Sequence, residues 1–159
     1  PVEKQANGFA SGLLMPKRLI KLHSDCDLNW KNIYTISQLC GTSLEATYRR
    51  LSFLEKAPSA LLIHKDGVFK RFVASQNFEF FIDNTPLSRE QKSLTVDVNQ
   101  NPYPADFDTT DASDWVSTYS KSGNLDSIYS STILLKEGFT YTLLSYDDDC
   151  IAENDHDDY

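Results

Sequence analysis

The strongest constraint in this chain is a change of hydrophobic period at Ala57-Pro58. Before it, apolar residues recur every three or four positions: Val2, Ala6, Phe9, Ala10, Leu13 and Leu14, then Trp30, Ile33 and Tyr34, then Leu44, Thr47, Tyr48, Leu51 and Leu54. Each set falls on one side of a 3.6-residue helix. After Pro58 the spacing is that of strands, most plainly in Phe139-Thr140-Tyr141-Thr142-Leu143, where rings and aliphatics alternate with threonine. Helices gathered at one end of a chain and hairpins at the other predict an α+β fold, with an N-terminal helical region followed by a small antiparallel sheet.

Punctuation refines the elements. Pro16 stops a first helix and opens a short one over Lys17 to Leu22. Asp27 is the predicted N-cap of a helix over 28–39, and Ser43 that of a helix over 44–56. Joined by Gly41-Thr42-Ser43, these two helices read as a helix-turn-helix-like unit within 17–58. From 59 to 146 follows an α+β domain: strands over Ser59 to His64 and Val68 to Ala74 around an Asp66-Gly67 turn, a long irregular connection from Asp83 to Asp111 with one strand at Leu94 to Val98, a short helix at Trp115 to Tyr119 capped by Ser113, and a half-buried hairpin around Lys136-Glu137-Gly138. Residues 147–159 hold seven acids among thirteen, a density that predicts a solvated, disordered tail.

Composition narrows the classes. With 40% hydrophobic and 12% aromatic residues over 159 positions, the chain has enough apolar material for a core. No apolar run reaches the roughly 18 residues of a membrane span, and no leader pattern is present, so a cytoplasmic, membrane-free protein is expected. Cys26, Cys40 and Cys150 lack metal or disulfide spacing, and the His23/Cys26 pair has no second pair to complete a finger. The acidic tail lacks the Gly and closing Glu of a calcium loop. The net charge of −8 divides unevenly, with eight Lys/Arg against five Asp/Glu up to Pro58 and seven against eighteen beyond it. The C-terminal part should repel nucleic acid.

Chemistry concentrates at the N-terminus. Glu3 and Asn7 stand four residues apart, stacked on one helical face, where a carboxylate ligand and a supporting amide can serve one site. The string Glu3-x-x-Ala6-Asn7-x-Phe9-Ala10-x-x-Leu13-Leu14-Met15-Pro16 resembles the helix that follows the active site in ImmA/IrrE zinc metallopeptidases, and Gly41 to Leu54 resembles the segment after it. The resemblance implies that residues 1–16 are the last helix of a metallopeptidase-like domain, with Glu3 as third zinc ligand and Asn7 behind it. The C-terminal domain is then substrate-recognising and regulatory, GAF-like in some members, and the substrate is a helix-turn-helix repressor whose cleavage derepresses phage, mobile-element or stress genes. The chain departs from the family in lacking His-Glu-x-x-His; its histidines, His23, His64 and His156, are scattered. Zinc is therefore expected in the full-length protein and no cofactor in this chain alone, which by itself should be inactive.

Two other readings come from different classes. One is a non-enzymatic interaction module, a degenerate peptidase in which Glu3 is a surface carboxylate. The other is a DNA-binding regulator that turns Glu45, Thr47 and Arg49 outward and sets Arg49 and Arg50 on phosphate. The weak basicity of the helical unit and its acidic neighbour place that reading last.

Overall fold

The computed structural model describes residues 14–23, 27–120 and 123–152. Three helices come first: α1 (Lys17–His23), α2 (Trp30–Cys40) and α3 (Leu44–Leu54). They are followed by β1 (Ser59–Lys65), β2 (Val68–Ala74), the short α4 (Arg89–Ser93), β3 (Val96–Asp97), β4 (Asp108–Asp111), β5 (Tyr119–Ser120), β6 (Gly123–Leu125), β7 (Ser127–Leu134), β8 (Phe139–Ser145) and β9 (Ile151–Ala152). The fold is α+β. Its main sheet runs β2-β1-β8-β7-β3, with β4 also on β7; β5, β6 and β9 make a small second sheet.

Local chemistry sets the helix ends. Ser43 caps α3 as expected, its Oγ accepting from the Ala46 amide at 3.1 Å. In α2 the cap is Asn29, whose Oδ1 accepts from the Asn32 amide at 2.8 Å. Asp27, the predicted cap, instead offers its carbonyl to Asn32 Nδ2 at 2.8 Å and so closes the turn before the helix. Gly41 ends α2 at φ +66°, a left-handed position where glycine is unstrained.

The sheet is covered on both faces, which explains why β1 reads Ala-Leu-Leu-Ile without alternation. Leu61 and Ile63 of β1 join Ile133, Leu143, Trp30, Ile33, Ile36, Tyr48 and Leu51 beneath the helices. On the other face Ala60, Leu62, Ile128 and Leu144 pack with Phe80, Trp115, Val116 and Tyr146. Helical unit and sheet therefore share a core across Ala57-Pro58, where the secondary structure changes. Tyr48 reinforces the join, its hydroxyl 3.0 Å from Ser59 Oγ.

Several expectations are corrected. The β7/β8 hairpin is buried on both sides: Thr142 is fully buried, because its hydroxyl is satisfied by Thr132 Oγ1 at 3.0 Å. The sheet is mixed, since β3 runs parallel to β7 within a connection long enough to return the chain in that direction. The helix predicted at Trp115 to Tyr119 is instead one 3-10 turn, Ala112–Asp114, capped by Asp111; Val116 then bridges to Ile82 and leaves no room for a further turn. The irregular connection is packed rather than loose. Tyr103 stacks on Tyr34 with ring centroids 4.1 Å apart, and the Lys31 amide donates to the Pro104 carbonyl at 3.0 Å. The start of the acidic tail is also built in, through a 3-10 turn capped by Asp147 and the pairing of β9 with β6. Among the described residues no helix is long and apolar enough to cross a membrane.

Candidate functional site

Glu3 and Asn7 lie outside the described residues, as do Cys26 and the tail beyond Ala152. The same string is visible from Leu14, and its end is firmly held. Met15 is buried at 1% exposure in the core beneath the helices. The Thr42 hydroxyl sits 3.6 Å from its sulfur, and Arg50 Nε donates to its carbonyl at 3.0 Å. Arg50, a candidate partner or DNA contact, thus clamps the Met15 backbone, just before Pro16, onto α3. A charge-assisted bond of this kind is stronger than a neutral one and fixes direction.

The rest of the α3 face is divided between core and surface. Thr47 is fully buried and bonds to Ser43 and Thr42, each at 2.8 Å, so it is absent from the exposed face on which the DNA reading placed it. Its position follows from helical spacing, one turn from Ser43 and one turn before Leu51. Glu45 is held by both terminal nitrogens of Arg71 on β2, and Arg49 approaches it at 3.5 Å. The Arg71 hydrogen bonds, with both arginine charges, hold the Glu45 carboxyl below its ordinary range. Arg49 remains exposed beyond its long contact with Glu45.

A cavity of about 300 Å³ opens between α1 and the end of α3, lined by Lys17, Ile20, Lys21, Asp27, Leu54 and Glu55 among others. Glu55 Oε2 is buried there without a hydrogen-bond partner. Burial first, and the nearby Asp27 charge second, raise the Glu55 pKa, against a lowering bond from the Leu28 amide. The native state therefore holds this proton more tightly than the unfolded chain, and stability falls as pH rises through the carboxyl range. Glu55→Gln is expected to melt higher than the parent at pH 7, with the gap shrinking toward pH 4; thermal unfolding at both pH values reads it.

His64 is buried on the opposite face of the sheet at 2% exposure. Its Nε2 lies 3.2 Å from the Thr85 carbonyl, its Nδ1 has no partner, and Phe69 meets the ring edge-on. Burial lowers its pKa, which keeps the ring neutral and Nε2–H the donor. Among the described residues no three His, Cys, Asp or Glu side chains converge as a metal site requires. The links Arg50–Met15, Arg71–Glu45 and Asp27–Glu55 were missed in the sequence, where the partners lie 26 or more residues apart and carry no shared spacing signal. No family model matches the chain, and neither does any curated protein.

Proposed function

We propose that this chain is the C-terminal, partner-recognising and regulatory part of an ImmA/IrrE-like zinc peptidase that works in the cytoplasm on a helix-turn-helix repressor. The observation that carries the reading is the string from Glu3 to Pro16, with its glutamate, Ala-Asn pair and closing Leu-Leu-Met-Pro. Its support from the fold is mechanical: Met15 is locked into the core shared by helices and sheet, so a domain ending in this helix would be rigidly coupled to the recognition part. Glu3 is a suitable carboxylate ligand in type, and the histidines and general base would come from a His-Glu-x-x-His that these residues do not contain. Zinc in such a site would activate a water for attack on the peptide bond. The chain's own contribution is to hold the repressor and to position Glu3.

The intact mass and N-terminal sequence of the native gene product test this reading. A species well above 18.0 kDa that carries His-Glu-x-x-His is the expected result. A species of about that mass without the motif overturns it in favour of a non-enzymatic interaction module.

A further inference from the structure

The terminal strand of the main sheet faces α3 across a groove of about 490 Å³, lined by Arg49, Phe53 and Lys56 on one side and Val73, Ala74 and Gln76 on the other. Among the described residues no strand pairs with the outer edge of β2. The hydrogen-bond alternation identifies which groups are free. The Ser75 amide donates inward to the Ser59 carbonyl, and Val73 and Arg71 stand opposite Leu61 and Ile63 in the same phase. Phe72 and Ala74, one residue out of phase, therefore turn their N–H and C=O groups away from β1. An extended chain can satisfy such a row, whereas a helix has no free backbone groups to offer it.

The open stretch is limited. A bulge between Ile63 and His64, together with the exposed Lys70, disrupts the N-terminal half of β2, as edges are commonly protected against stray pairing. The C-terminal half has no such guard and lies along the groove. Across from it Phe53 is 77% exposed, a large ring that belongs to neither core cluster of the described residues. Arg49, whose contact with Glu45 is a long 3.5 Å and leaves it exposed, and Lys56 give the groove a cationic rim on a chain of net charge −8, while the Glu55 carboxyl, also at its wall, is partly withdrawn, with Oε2 buried. That rim selects acid-bearing partners.

We propose that this groove docks an extended, acidic segment of a partner protein as an added strand on β2, with an apolar side chain of the segment covering Phe53. The proposal rests on the reading that the chain recognises a protein partner, and it needs neither zinc nor Glu3. Its test uses this chain with two pools of fluorescein-labelled decapeptides, one alternating Asp or Glu with aliphatic residues, the other with Lys or Arg in the acidic positions. The acidic pool should bind more tightly by about tenfold, the equivalent of one or two charge-assisted bonds. Ala74→Pro removes one outward N–H at a strand edge where proline is tolerated, and Phe53→Ser removes the ring; each should weaken binding by about tenfold with the fold retained. Bound peptide should also slow hydrogen exchange at the Phe72 and Ala74 amides. Equal affinity for both pools, no saturation by about 1 mM, unchanged binding in Phe53→Ser, or occupation of the edge by a second copy of this chain overturns the proposal. If Ala74→Pro fails to fold, Phe53→Ser and the exchange measurement decide. Failure here leaves the zinc reading to be judged on Glu3 alone.

Discussion

Trp30→Ala is expected to cost about 3–5 kcal/mol, the range for truncating a buried aromatic. Trp30 has no exposed surface, although it is the first residue of α2, a position that is usually wet. It belongs to the core beneath the helices and lies 6.3 Å from Tyr141, ring to ring. Its Nε1–H donates to the Ser131 carbonyl at 2.8 Å, tying the start of α2 to β7 across 101 positions of sequence. Truncation removes the ring, opens a void in the shared core and deprives a buried sheet carbonyl of a partner. Against a typical domain stability of about 5–15 kcal/mol, the variant would retain a small margin at best. Urea unfolding checks it: the midpoint should fall sharply, with Trp30→Phe intermediate because it keeps most of the area and loses the donor. A loss below about 1 kcal/mol would show that α2 does not share the sheet's core.

The same residue illustrates what sequence can reveal. Helical period announced that Trp30 and Ile33 share the core face, although Tyr34, expected beside them, is exposed and stacks on Tyr103 while Ile36 takes the buried place; local signals named Ser43 as a cap and Asp66-Gly67 as a hairpin turn. Such features depend on neighbours within one turn. The cap of α2 was misplaced by two residues: Asn29, not Asp27, has the extended dihedrals of a cap and accepts from the Asn32 amide, while Asp27 contributes its carbonyl to the turn before it. The covered second face was hidden because Thr140 and Thr142 look solvent-facing until Thr132 is brought beside Thr142. Glu3 and Asn7 stand as a spaced pair in the sequence but lie outside the described residues. The clamp of Arg50 on Met15 was not readable, since 35 residues separate its partners and both sit in helical patterns that explain them otherwise. The open edge of β2 needed the strand order before it could be seen at all.

The second large effect concerns zinc. If Glu3 is the third protein ligand, its loss leaves two histidines and water, too few to hold the metal in a tetrahedral site. Replacement of a residue that only supports a ligand already costs about 10–100-fold in metal affinity, so loss of the ligand itself should cost at least that. Stability without zinc is expected to be nearly unaffected, because the described end of this string is anchored by buried Met15. The reading therefore separates a metal effect from a folding effect, which a structural role for Glu3 would not do.

The most direct measurement is zinc titration of the full-length native gene product and its Glu3→Ala variant, followed with a competing chelator. The account predicts one tightly bound zinc in the parent and an affinity lower by about 100-fold or more in the variant, with unchanged melting of the metal-free forms. Equal zinc affinity in the two proteins, or no zinc bound by the parent, would contradict it.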